Sequence, residues 1–395
     1  MKEKKGLIPG INRFELAGAL GDLPLLFPLL SAYVVICRIN PVPAFILLGL
    51  AYLGCGIYYR LPLPVQPLKA FAAIAIAQKL SPQVVFAGGF LMGIIFLALS
   101  FSPFLLKRLP KIFPGPVVLG IQFSLGLLLF RVASELIFTR ALSFPGGPET
   151  FLNPDLLLAV TGGLILLFFS KHQRIPALLV IILLGVCAGL AFGSPILPPH
   201  FQAETYPYAP FLPSLSDLKI ASYLLVLPQI PLTMANSLVA TVDTAGFYFG
   251  QKAKRVTLKN LSFSLGFLNI LGGLFGGIPV CHGSNGVTAH YRFGARSGRA
   301  TVILGLIFLA SVFVFGNNIK TLFNLVPFSL FGVLLFYVAF QHALLARRVD
   351  NWKEALVVLA IGLTTLTTGN LAGAALVGIV VYFCIFHQKD ARKTV

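Results

Sequence analysis

Residues 276–286 read GGIPVCHGSNG inside a chain that is otherwise an almost unbroken series of apolar runs. A proline, a cysteine, a histidine, an asparagine and four glycines in such a setting allow three readings: a broken helix lining a binding site, a Cys/His metal or catalytic site, or a plain loop. A second stretch, LPLPVQPLKAF at 61–71, has the same build: Pro-Val, then polar residues, then a helix-like run. Upstream of each, a polar interruption breaks a long apolar span, GALGDLP at 18–24 and LTMANSL at 232–238. Asp22 precedes Pro64 by 42 residues, and Asn236 precedes Pro279 by 43. Two short Pro/Gly-interrupted segments at matching places are the sequence pointer to a transporter built from an inverted repeat.

The rest of the chain agrees. It has 395 residues, 57% hydrophobic and 11% charged, and a bilayer-spanning helix needs about 20 apolar residues. Breaks at charged and Pro/Gly-rich points predict an all-α polytopic membrane protein with about fourteen spans, at 14–36, 41–59, 64–79, 83–105, 114–130, 154–170, 175–193, 218–249, 258–276, 280–296, 299–316, 321–345, 354–368 and 370–386. With the N-terminus inside, twenty-three of the thirty Lys and Arg residues become cytoplasmic, six lie outside, and Lys69 alone falls within a span. This asymmetry fits the positive-inside rule and puts both termini in the cytoplasm. It also accounts for most of the net charge of +18, so no nucleic-acid partner is called for. The Pro-rich linker 194–217 divides the spans into a first repeat, 1–193, and a second, 218–395. Seven is odd, so the second repeat has the opposite topology. The N-terminal MKEKKGLIPGINRFEL shows no cleavable signal pattern.

Pro64 and Pro279 each remove an N–H donor and disfavour helix just before them. Irregular backbone at membrane depth survives only where protein or a watery cavity surrounds it. From about Pro67 and His282 a half-helix can start, its free N–H groups and positive dipole end pointing inward. Two such ends near the midplane make an anion site. The first adds Gln66 and Lys69; the second offers Cys281, His282, Gly283, Ser284 and Asn285. Alternatively Gln66, His282 and Asn285 only satisfy backbone groups in a packed kink. Lys69 points more firmly to function, because an ionisable residue inside a span is expensive. Asp22 fits either a counter-ion of Lys69 or a protonatable coupling group. Asp243 is the other deep carboxylate, nearer the cytoplasmic end. Glu15 lies at that boundary, Arg292, Arg296 and Arg299 read as orientation charges, and His290 shows no partner.

Enzyme chemistry is not supported. HExxH, GxSxG and P-loop motifs are absent, and the adjacent Cys281 and His282 cannot easily converge on one ligand. Five scattered cysteines read as small core residues, with no zinc site or disulfide framework. No cofactor is expected.

Taken together, GALGDLPLLFPLL (18–30), LPVQPLKAFAA (63–73), QIPLTMANSLVA (229–240) and GGIPVCHGSNGVTAHYRFGARSG (276–298) resemble the molybdate transporter family related to the sulfate permeases. The resemblance runs over about residues 12–387. It implies a seven-plus-seven inverted repeat with half-helices in spans 3 and 10, a core domain of spans 1–4 and 8–11, and a gate domain of spans 5–7 and 12–14 (about 114–193 and 321–386). The STAS domain of larger sulfate permeases is not expected. The resemblance implies a substrate site formed by Gln66, Lys69, Gln229, Asn236, Ser237, Cys281, His282, Gly283 and Asn285, with Asp22 nearby. Molybdate or sulfate is the implied oxyanion. The sequence departs from the family pattern at SNG, where a more glycine-rich run is common, and at Leu68, where Met is frequent. Protons are the expected coupling ion, with Asp22 and then Asp243 as protonatable candidates. Membrane lipid surrounds the chain, and a homodimer is compatible with it.

Overall fold

The computed structural model describes residues 13–112, 114–138, 154–169, 177–191, 210–319 and 326–386. The terminal tails, Arg140, Lys171, Arg174, Lys320 and the linker from 194 to 209 lie outside the described residues. The first half runs α1 (Arg13–Leu20), α2 (Leu23–Val35), α3 (Pro41–Tyr59), β1 (Gln66–Pro67), α4 (Lys69–Ala77), α5 (Pro82–Ser100), α6 (Pro103–Ile112), α7 (Gly115–Phe138), α8 (Pro154–Phe169) and α9 (Ala177–Ala191). The second runs α10 (Leu215–Arg255), α11 (Leu258–Phe275), β2 (Val280–Cys281), α12 (Ser284–Arg292), α13 (Arg299–Phe315), α14 (Phe328–Arg348), α15 (Trp352–Thr368) and α16 (Leu371–Phe386). Helices α3, α5, α7, α10, α11 and α14 are long and apolar enough to cross a membrane, and five further apolar helices are shorter.

The two interruptions meet. Strand β1 pairs antiparallel with β2, Gln66 opposite Cys281 and Pro67 opposite Val280, and the Leu68 N–H donates to the Pro279 carbonyl at 2.9 Å. Prolines cannot donate to a ladder, which keeps this sheet to two residues per strand. Helices α4 and α12 begin at Lys69 and Ser284, each five residues after Pro64 or Pro279. Their starts fall two residues later than the sequence predicts, because strand pairing holds the intervening residues extended. At nine residues each, neither helix can cross a bilayer.

Helix packing repeats across the halves. The contacts of α3 with α13 and of α11 with α5 are among the most extensive in the fold, and so is that of α7 with α14. If α3 corresponds to α11 and α5 to α13, the first two are one contact made twice. Small residues set the approach of α3 to α13: a methyl group on Gly56 would lie 2.7 Å from the Gly298 carbonyl, and one on Gly305 2.7 Å from the Gly49 carbonyl. Backbones can come this close only where side chains are absent.

Three elements differ from the sequence expectations. The span predicted at 14–36 breaks at Gly21–Asp22 into α1 and α2, with a proline in the first turn of α2. Its counterpart LTMANSL does not break; α10 instead widens into π-helical turns at Ser222–Val226 and Thr233–Val239. Such turns are frequent at functional sites. The charged segment after α5, expected as loop, forms the amphipathic helix α6. Of the five free cysteines, Cys37, Cys55 and Cys281 are core residues as expected, whereas Cys187 and Cys384 are exposed on apolar helices.

Basic helix ends gather on one side. The Arg255 guanidinium donates to the Tyr58 carbonyl at 2.6 Å, placing the end of α10 beside Arg60. The Arg296 N–H and the Ser297 hydroxyl donate to Glu15 Oε1 at 3.2 and 3.0 Å, tying the start of α1 to the end of α12. Glu15 is thus buried against a loop rather than solvated at a boundary. Elsewhere, Lys79 at the end of α4 pairs with Glu135 on α7 at 2.7 Å.

Candidate functional site

The starts of α4 and α12 face a cavity of about 500 Å³ bounded by α4, α10 and α12 on one side and by α7 and α14 on the other. That size suits a small ligand. Of the sequence-predicted residues, Lys69, Gln229, Asn236, Ser237, Cys281 and Asn285 line it, together with Ser284 and Thr288. From the opposite wall come Gln122, His342 and Arg348, which sequence reasoning missed.

Lys69 is buried, and no ion pair or hydrogen bond of its ammonium is found among the described residues. Asp22 makes no direct ion pair with it among the described residues. Burying an unpaired charge is costly, so the ammonium favours whatever anion enters. The amide of Gln229 accepts from the Phe71 N–H at 2.9 Å and donates to the Thr233 hydroxyl at 3.0 Å. It thereby satisfies one free amide at the start of α4. Asn236 accepts from the Ser284 hydroxyl at 2.8 Å through Oδ1, so its NH2 group is available to the cavity. None of the cavity-lining residues is Asp or Glu. An ammonium, a guanidinium, two helix starts and several neutral donors give this space a positive character.

Gln66, His282 and Gly283 sit behind the lining. Gln66 Nε2 donates to Asp22 Oδ1, while Gln66 Oε1 has no partner. A methyl group on Gly283 would lie 2.6 Å from Gln66 Oε1 and 3.6 Å from the Lys69 ammonium, and one on Gly286 2.6 Å from Gln66 Nε2 and from the Pro64 ring. Both glycines therefore let the Gln66 amide lie against the first turn of α12. His282 turns away from the cavity: Nδ1 donates to the Pro64 carbonyl at 2.8 Å, which leaves Nε2 to accept from the Ser264 hydroxyl at 2.8 Å. Tyr59 extends this network to Ser264 at 2.9 Å. For His282 the structure therefore favours the alternative in which the ring satisfies the kinked backbone. Among the described residues no group of three His, Cys, Asp or Glu side chains could hold a metal ion.

Asp22 is completely buried at the break between α1 and α2 and accepts from the Tyr52 hydroxyl at 2.7 Å. His290, partnerless in the sequence, reaches it from the other half, with Nε2 at 3.8 Å from Asp22 Oδ2. Asp243, expected as a deep carboxylate, is instead exposed on α10. Its neighbours Ala240 and Thr244 line the cavity, and Asp243 is not among the lining residues.

Asn269 on α11 also escaped the sequence reading. Its amide accepts from the Val280 N–H and donates to the Val280 carbonyl, both at 2.8 Å, and so acts as a third strand for β2. The Thr241 hydroxyl, 2.8 Å from the His282 carbonyl and 2.9 Å from that of Asn236, ties the π-turn to the same strand.

Comparison with known proteins adds to this geometry. The model of the family described as "Molybdate transporter of MFS superfamily" matches residues 14–129 and 221–341, the stretches that carry both interruptions. Molybdate transporter 2 of Arabidopsis thaliana is 27% identical over 408 residues, covering 94% of this chain and 87% of that protein. Molybdate transporter 1 of Chlamydomonas reinhardtii is 25% identical, covering 93% and 90%. Among solved structures, the murine Solute Carrier 26 family member A9 anion transporter in the inward-facing state is similar with a TM-score of 0.70 at 16% identity, covering 98% of this chain and 70% of that one. The transmembrane domain of a cyanobacterium bicarbonate transporter, BicA, gives a TM-score of 0.67 at 15% identity, covering 94% and 97%. These two likenesses establish the fold, which is that of membrane anion transporters.

Proposed function

The chain belongs to the molybdate transporter family, and we propose on that footing that it imports molybdate across the cell membrane by alternating access, with the Lys69 cavity as its substrate site. One observation carries the reading. A buried ammonium with no direct ion pair among the described residues shares a cavity with two helix starts, and none of the described lining residues is a carboxylate. A tetrahedral dianion would neutralise the ammonium and accept from Gln229, Asn236 and the first amides of α4 and α12. Ser237, Cys281 and Asn285 complete that wall.

Fourteen spans in two inverted sets of seven fit the doubled α3–α13 and α11–α5 contacts. The core then comprises α1–α5 and α10–α13, and the gate comprises α7–α9 and α14–α16. The cavity lies between the proposed core and gate, as alternating access requires, and reaches Gly115 at the start of α7 and Arg348 at the end of α14. On the positive-inside rule that side is cytoplasmic, as are both termini.

An inside-negative potential of 100 mV opposes entry of a dianion by roughly 4.6 kcal/mol, so import needs a coupled cation, an exchanged anion or a steep gradient. The buried Asp22, bonded to Gln66 behind the cavity wall, supports the proton as the coupling ion.

Sulfate is the competing substrate, because both oxyanions are tetrahedral dianions. Uptake of labelled molybdate into proteoliposomes, competed with tungstate and sulfate, decides between them. Saturable uptake blocked by tungstate but not by equimolar sulfate supports the proposal. Sulfate competing as well as molybdate itself moves the protein to the general oxyanion reading, and uptake that never saturates replaces a carrier with a channel.

A further inference from the structure

We propose that Asp22 and His290 form a two-proton site, so that each tetrahedral dianion crosses with two protons and no net charge. The proposal rests on the transport reading above and specifies its coupling.

The protonation states follow from the hydrogen bonds. His290 Nδ1 lies 2.7 Å from the Gly18 carbonyl, which can only accept, so this nitrogen keeps its hydrogen in every state. Nε2 has no hydrogen-bond partner among the described residues, and both side chains are completely buried. In the neutral ring a bare lone pair therefore faces a carboxylate oxygen 3.8 Å away. One proton converts the ring to an imidazolium beside Asp22. Asp22 receives only neutral donors, Tyr52 and Gln66, so its own carboxylate takes the second.

Charge balance selects this number. With neither proton bound and no substrate, the core site holds the Lys69 ammonium and the Asp22 carboxylate, which cancel. Loaded with a dianion and two protons, it cancels again. Both the outward and the return movements then carry no net charge through the low-dielectric interior, where an uncompensated charge is expensive.

Gln66 joins the two events. The carboxylate of Asp22 holds the amide with Nε2 toward itself, and Oε1, an acceptor, faces Gly283 near the Lys69 ammonium. That orientation sets an acceptor oxygen just behind the cavity wall, on the side of the Lys69 ammonium. Once Asp22 is protonated it can donate to Oε1, the amide turns over, and the NH2 group faces the oxyanion instead. Proton and anion thus favour the same amide orientation, which supplies the differential interaction that coupling requires.

The other titratable or charged groups on the surrounding elements have different roles. Glu15 on α1 is held by the Arg296 N–H and Ser297, and the Arg296 guanidinium is bonded to the Tyr291 and Ala295 carbonyls. Tyr52 on α3 is the donor already named. Lys69 on α4, Cys281 on β2 and His342 on α14 line the cavity. Tyr291 and Arg292 end α12, and Arg299 opens α13.

The test uses the full chain in proteoliposomes that contain a pH-sensitive dye, with labelled molybdate and potentials set by potassium and valinomycin. Wild type is expected to take up two protons per molybdate, to accumulate about 100-fold more substrate per unit of pH gradient, and to ignore the potential. In His290→Gln the expected ratio is one proton per molybdate, with accumulation changing about tenfold per pH unit and about 50-fold per 100 mV. Wild-type uptake with one proton or none, or uptake driven by potential alone, overturns the proposal, and so does a ratio of two in His290→Gln. If that variant does not fold, the wild-type ratio decides by itself. Absence of saturable molybdate uptake under every gradient instead sinks the transport reading, a separate outcome.

Discussion

Lys69 is the residue on which anion recognition turns. Truncating one partner of a buried charge contact costs about 2–5 kcal/mol. Lys69→Ala should therefore weaken molybdate binding by at least ~30-fold in calorimetry. The same variant should melt no lower than wild type, because it removes a buried charge that makes no hydrogen bond or direct ion pair among the described residues of the empty protein. Equal affinity in the two proteins places the site elsewhere. For His282 the expectation is reversed. Its ring bridges the Pro64 carbonyl and Ser264 on the far side of β2, so His282→Ala should cost about 1–3 kcal/mol of stability. Binding by the protein that remains folded should stay within a few-fold of wild type. A large loss of affinity without a change in melting would return His282 to the substrate wall. Lys69 was legible in the sequence because a lone ammonium inside an apolar span has few bland explanations. The direction of the His282 ring was not, because it depends on Ser264 and Pro64, which the fold brings together.

At the scale of elements, the pairing of β1 with β2 and the starts of α4 and α12 form one unit. A methyl group on Gly286 would strike the Pro64 ring, which cannot swing aside as a flexible side chain can. Gly286→Ala should displace the α12 start by forcing it off β1, at a cost of about 1–3 kcal/mol, and should abolish binding. Unimpaired molybdate binding by this variant would show that the contact yields easily. Asn269→Ala leaves both backbone groups of Val280 without partners at membrane depth and should lower the melting temperature through a loss of about 2–5 kcal/mol. Asn269→Asp, which keeps only the acceptor, should recover little. Both half-helices could be foreseen from Pro64, Pro279 and the 42- and 43-residue spacings. The response of the upstream interruptions could not. GALGDLP breaks its helix, whereas LTMANSL widens into a π-turn that packs on α11 and α6.

For the whole molecule, the inverted repeat was readable because it leaves a sequence echo, and the structure gives it physical form as two matching helix contacts. The other wall of the cavity was hidden. Gln122, His342 and Arg348 carry no motif, and they reach Lys69 only because α7 and α14 pack together across more than 200 residues of sequence. His290 was hidden for the same reason, being 268 residues from Asp22 in the chain. A carrier whose site is assembled from both halves and both walls should lose transport when any one of them is removed, while a pore lined by α7 alone should not. The most direct test is saturable uptake of labelled molybdate by proteoliposomes of wild type and Lys69→Ala, measured side by side at the same pH gradient. Saturable, tungstate-sensitive uptake in wild type that vanishes in Lys69→Ala is the predicted result; equal uptake by the two proteins would contradict the account.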